Sequence, residues 1–191
     1  MKRILSTILL TVLAVLVLEA AGWFVFLYSG TYNISTYNHD NGPINWALDT
    51  GMTRSVIRHA KAIQAPQLTD PAMIQMGFEH YHEMCVTCHG APGVAPDEIA
   101  RGLWPVAPNL AKTGSVWTAA QLFWITKNGI KSTAMPAWGP THSNEEIWAM
   151  VAFLEKLPRL SPANYHDMDR KLTVGKGMAA EPEHAEGAEA P

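Results

Sequence analysis

The chain has 191 residues, with 14 Lys and Arg against 17 Asp and Glu and a formal net charge of -3. That balance excludes the basic signature of a nucleic-acid-binding chain, and the length admits one soluble domain plus appendages. Apolar residues make up 48% of the whole, but they are unevenly spread and concentrate before Gly30.

Behind Lys2 and Arg3, the run from Ile4 to Tyr28 is apolar apart from Ser6, Thr7, Thr11 and Glu19. Such a run exceeds the roughly 20 residues a helix needs to cross the hydrocarbon core of a bilayer. A cleaved signal peptide is the rival reading. Cleavage after Ala20 or Ala21 would put Leu18 or Glu19 where a small residue is wanted, and the apolar run continues through Trp23 to Leu27, so the pattern favours a retained anchor. Lys2 and Arg3 set the N-terminus in the cytoplasm and everything after Ser29 outside. Glu19 lies in the outer half of this span, where an ionisable group is costly. It either snorkels or stays protonated, or it marks contact with a neighbouring membrane subunit.

From Gly30 to Pro43 the composition is that of a polar, turn-rich linker with interfacial aromatics. Trp46, Met52, Val56, Ile57, Ala60 and Ile63 then recur at near-helical spacing among Arg54, Arg58 and Lys61. The expectation is a juxtamembrane amphipathic helix that packs on protein in preference to lipid, with His59 a surface or packing residue. Asp70-Pro71 reads as an N-cap with proline at the first helical position. Met73, Gly77 and Tyr81 share a face of the helix that follows, and Gly77 suits a close crossing, expected against 148/151/152. Downstream, Thr118 with Gln121 and Ser143 with Glu146 form capping boxes. Gly129 is a C-cap candidate, and the last helix directs Ile147, Trp148, Val151 and Leu154 inward and stops before Pro158.

Between these elements Cys85, Cys88 and His89 spell C-x-x-C-H, the attachment pattern of a c-type haem. Thiols one helical turn apart can each bond a haem vinyl group, and the adjacent imidazole is delivered to the iron. A dithiol redox centre or half a zinc site is the alternative, but these are the only two cysteines and no βαβ pattern surrounds them. One pair also limits the chain to one haem. An electron-carrying iron needs a sixth partner, and Met135, on a loop stiffened by Pro136 between two capped helices, is the candidate thioether. Methionine is usually core filler, and this chain has nine. His142 is the main competitor, since His80 and His82 lie too close to the attachment helix to swing round.

The helix leading into C-V-T-C-H, the A-P-N-L segment, the helix ending N-G-I, the M-P-A-W loop and E-I-W-A-M-V-A-F-L together resemble the class I cytochrome c family from about Thr69 to Leu160. The resemblance implies an all-α, class I cytochrome c fold, with about three to five short helices around one haem, behind an N-terminal transmembrane helix. It also implies covalent haem c on Cys85 and Cys88, with His89 and Met135 as axial iron ligands. Pro108 would accept the free ring N–H of His89 through its carbonyl, and Trp138 and Arg101 would be haem-propionate partners. The expected organisation is a cytoplasmic start and anchor over 1–29, a linker over 30–68, a haem domain over 69–160, and an exit segment and acidic disordered tail over 161–191. Function is expected to be single-electron transfer without substrate chemistry, on the periplasmic face of a bacterial inner membrane. The protein would be a tethered carrier or a non-catalytic subunit, with a quinol-oxidising complex, a dehydrogenase or a terminal oxidase as partner. A peroxidase-like haem enzyme and a haem-based redox or gas sensor are the other classes. The first needs an open iron site, and the second needs more than the short cytoplasmic portion before the span.

Overall fold

A computed structural model describes residues 1–37, 42–113 and 116–179. Among them the secondary structure is helical, with an isolated antiparallel bridge between Ala91 and Val94 in place of any strand. The chain forms one unit over residues 1–40 and a second over 41–191.

The first unit is built on helix α1, Lys2–Tyr28. Its 27 residues rise about 40 Å, more than the roughly 30 Å hydrocarbon core of a bilayer. None of its apolar side chains is buried, so it is hydrophobic all round. Two of its hydroxyls are internally satisfied: Thr7 donates to the Arg3 carbonyl at 3.0 Å and Thr11 to the Thr7 carbonyl at 2.9 Å. That removes the cost of bringing an unpaired hydroxyl into an apolar medium. This helix is long and apolar enough to cross a membrane.

The second unit begins with α2, Gly42–Ala60, and continues with α3, Pro71–Met84, and α4, Val86–His89. A 3₁₀ turn over Glu98–Gly102 precedes α5, Leu110–Thr113, α6, Ala119–Asn128, and α7, Asn144–Lys156. A further 3₁₀ turn, Leu157–Arg159, leads into α8, Pro162–Ala179. The helix starts follow local chemistry. The Asp70 side chain accepts from the Ala72 N–H, and both capping boxes, Thr118–Gln121 and Ser143–Glu146, are complete. Each satisfies orphan backbone donors at its helix start.

The core lies where α3 crosses α7. Gly77 meets α7 at the Ala149 carbonyl and beside Phe153, one residue round from the expected 148/151/152 face. The rotation has a visible cause: Trp148 turns to α6 and stacks on Phe123 at 4.2 Å and 20°. Around the crossing, Phe78, Tyr81, Phe153 and Tyr165 meet with ring centroids 5.2–5.5 Å apart. These edge-on and tilted contacts add to the area burial.

Two expected boundaries move. Helix α2, expected as an amphipathic helix packed on protein within the 30–68 linker, packs on α6 of the second unit: Val56 and Ala60 are buried and His59 stacks on Trp124 at 5.4 Å. The chain also does not leave the domain after Leu160. Tyr165 is 1% exposed, Met168 and Leu172 pack against the same core, and Ser161 accepts from the Asn164 N–H to start α8. The spacing of 165, 168 and 172 is an amphipathic stripe. It is masked in the sequence by the polar and charged residues between. The acidic tail beyond Ala179 lies outside the described residues.

Candidate functional site

Local hydrogen bonding builds the C-x-x-C-H turn. Tyr81 O accepts the Cys85 N–H at 2.9 Å, Cys85 O accepts those of Cys88 and His89 at 3.1 and 2.9 Å, and Val86 O accepts that of Gly90 at 2.8 Å. One helical turn therefore separates the thiols, and His89 follows directly. The turn is fixed from behind by the Tyr81 hydroxyl, which is buried and donates to the Gly90 carbonyl at 2.5 Å. Burial pushes the Tyr81 hydroxyl far above its ordinary pKa, so it stays a donor. Gly90 has φ 63, and a Cβ there would stand 2.8 Å from the Val94 carbonyl oxygen, so this corner requires glycine. The loop beyond folds back as Asp97 donates to Thr87 O at 2.9 Å.

His89 Nδ1 donates to the Pro108 carbonyl at 2.8 Å. That bond fixes the tautomer, leaving Nε2 with its lone pair to ligate. Burial lowers the His89 pKa from its ordinary value, while the Pro108 contact acts the other way; the net direction favours the neutral ring that a metal needs. Cys85 and Cys88 are both free, and burial, reinforced by Cys88, pushes the Cys85 thiol up to about 12. Such a thiol is protonated at neutral pH and lacks the lowered pKa of a poised redox dithiol. Among the described residues no cluster of three or more His, Cys, Asp or Glu could hold an ion.

A cavity of about 300 Å³ opens beside this turn, lined by Cys88, Ala95, Pro96, Ala100, Arg101, Val106 and Ala107. Val106 is 64% exposed there and gives the lining an apolar surface. Arg101 contributes the one charge of the lining, as an anionic edge group would require. Two unbridged cysteines, an oriented neutral imidazole and an apolar wall with one cation fit a covalently held haem.

The loop carrying Met135 is tied to α6. Trp138 N–H donates to Thr126 O at 3.2 Å, Gly139 N–H to Lys127 O at 2.9 Å and Ile130 N–H to Met135 O at 3.2 Å. Gly129, at φ 67, lies so close under the loop that a Cβ would stand 2.7 Å from Pro136 C and Ala137 N. Met135 itself is half-buried. Trp138 packs edge-on against His142 at 5.4 Å. His142 is also held by Thr141 Oγ1 at 2.9 Å from Nδ1 and packs edge-on against His80 at 5.2 Å. His80 Nε2 is 3.9 Å from Glu146, and His82 Nε2 is 3.3 Å from Asp169. All three histidines other than His89 considered as iron ligands thus have protein partners.

Residues 72–154 match the family model described as cytochrome c oxidase, cbb3-type, subunit III. This segment is a class I monohaem c-type cytochrome domain. It binds haem c covalently, and Cys85 and Cys88 fit its C-x-x-C-H motif. The search of curated proteins found no match. Helices α2 and α8 lie outside the matched segment and are additions that sequence reasoning placed in a linker and an exit. When bound, haem supplies reversible one-electron iron chemistry. The chain's part is to tether it, orient His89 and exclude water.

Proposed function

We propose that this protein is a membrane-anchored monohaem electron carrier whose haem domain works on the periplasmic face of a bacterial inner membrane. In this reading Cys85 and Cys88 carry the thioethers and His89 and Met135 are the axial ligands. Pro108 orients His89, and Arg101 and Trp138 flank the haem pocket. The observation that carries the reading is the 2.8 Å bond from His89 Nδ1 to Pro108, next to a pair of unbridged cysteines. A nitrogen and a soft sulfur ligand favour electron transfer over small-molecule binding, and the thioether raises the potential.

Helix α1 supports anchoring, with Lys2 and Arg3 holding its start in the cytoplasm. The name of the matched family, an oxidase subunit, supports a place among the redox partners of a respiratory complex, as a fixed subunit or a tethered shuttle. Glu19 is then the span's candidate contact with a neighbouring membrane subunit.

The test is optical and redox spectroscopy of the detergent-solubilised, haem-loaded chain. Wild type shows a sulfur-to-iron charge-transfer band in the ferric state and little carbon monoxide binding in the ferrous state. Met135→Ala loses the band while His142→Ala keeps it. The reverse pattern, or rapid and complete carbon monoxide binding by wild type, overturns the assignment.

A further inference from the structure

The segment that carries Met135 contains a hydroxyl that bridges two backbone groups and gives the Met135 N–H its partner. Thr133 Oγ1 donates to the Ile130 carbonyl at 2.8 Å and accepts the Met135 N–H at 3.1 Å. Ile130 O also receives the Thr133 N–H at 3.3 Å, and Ile130 N–H returns to Met135 O at 3.2 Å. A closed hydrogen-bonded ring results, with Ile130 at its base, Met135 at its far side and the Thr133 side chain across the middle.

The neighbouring backbone explains why a cross-brace is needed. Ser132 has φ 62, the one described non-glycine residue in the left-handed region, a conformation that costs about 1 kcal/mol or more and persists only where surrounding contacts hold it. Below the ring, Gly129 leaves no room for the loop to settle closer. Beyond it, the Trp138 and Gly139 N–H groups fasten the far end to α6. Both ends are thus pinned by backbone, and the Thr133 hydroxyl adds a side-chain brace across the middle, two residues before Met135. Of the other loop hydroxyls, that of Thr141 is spent on Trp138 O and His142.

We infer that Thr133 is a positioning residue for Met135: its hydroxyl holds the Met135 backbone so that the thioether stays directed at the iron and resists displacement. The inference rests on the proposed axial role of Met135. An incoming ligand must first displace the thioether, so its apparent affinity scales with the fraction of molecules in which Met135 has let go. Thr133→Val keeps the shape and removes both hydroxyl bonds; Thr133→Ser keeps the bonds.

The experiment titrates imidazole into the ferric, haem-loaded full chain in detergent and follows loss of the sulfur-to-iron band, with thermal unfolding measured in parallel. Thr133→Val should bind imidazole about tenfold more tightly than wild type, the size of effect expected for a lost pair of neutral hydrogen bonds. Thr133→Ser should stay within about twofold. If Thr133→Val does not accumulate, Thr133→Ala against Thr133→Ser gives the same comparison. A Thr133→Val protein that melts earlier yet binds imidazole like wild type has lost only stability, which overturns the positioning role. In Met135→Ala the band is absent, so imidazole binding is followed there by the shift of the Soret band, and adding Thr133→Val should no longer change imidazole affinity. A residual tenfold effect there overturns this inference alone, whereas a band that survives Met135→Ala overturns the ligand assignment and this inference with it.

Discussion

Substituting Gly77 tests the α3–α7 crossing directly. A Cβ added there would run into the Ala149 carbonyl group and stand 3.0 Å from Phe153 Cβ. The first obstacle is backbone, so no rotamer change relieves it and the helices must separate. Overpacking a close contact costs about 1–3 kcal/mol, and a backbone obstacle belongs at the upper end. Alanine regains roughly 1 kcal/mol of helix propensity over glycine, which leaves a net loss near 2 kcal/mol. At about 3 °C per kcal/mol for a domain of this size, Gly77→Ala should lower Tm by about 6 °C. Gly51 in α2 is the internal control: it is helical and exposed, with nothing within 4 Å of a new Cβ. Gly51→Ala should therefore gain about 1 kcal/mol and raise Tm by about 3 °C. Far-UV circular dichroism melts of the haem-loaded chain measure both. A Gly77→Ala protein as stable as wild type, or a Gly51→Ala protein that falls alongside it, would refute the close-crossing argument.

Removing residues 161–191 should uncover Phe78, against which Tyr165 packs at 5.5 Å. Loss of one such aromatic costs about 3–5 kcal/mol, so the truncated protein should show a lower, broader melt; an unchanged one would remove α8 from the core. Tyr81→Phe leaves the Gly90 carbonyl without its donor and should cost about 1–3 kcal/mol in denaturant titrations. Ser143→Ala and Thr118→Ala should each cost about 1 kcal/mol by loss of a cap, in the same titrations. The pH dependence of the α7 cap has a defined sign. The Ser143 N–H and hydroxyl, then His80 and His142, hold the Glu146 carboxyl below its ordinary value of 4.5. A lowered folded-state pKa means stability that is present above 4.5 and lost as pH falls below it through the folded value. Wild type should therefore lose its advantage over Glu146→Gln as pH drops below that point, as denaturant titrations across acidic pH would show; a constant difference would remove Glu146 ionisation from the account.

Elements set by short-range chemistry could be read from the chain. Asp70-Pro71, Thr118–Gln121 and Ser143–Glu146 start helices because each cap needs only residues within one turn. The apolar character of α1 is equally plain, since membrane length and composition are properties of one segment. The C-x-x-C-H motif announces its cofactor for the same reason: both thiols and the imidazole lie within five consecutive residues.

Other features depended on which face met which. Gly77 signalled a close crossing, but only the competition of Trp148 for Phe123 turned Ala149 and Phe153 towards it. Tyr165, Met168 and Leu172 looked dilute among charged neighbours until the groove beside Phe78 gave them a surface to cover. Thr133 is a loop threonine like any other until the strand of backbone from Ile130 to Met135 closes around its hydroxyl. By itself, the sequence determined where helices begin, which segment is apolar enough for a membrane and which two cysteines fit the C-x-x-C-H motif. Only the tertiary structure decided how far the domain extends and what steadies the loop bearing Met135, because burial and hydrogen-bond closure arise between residues that the chain keeps apart.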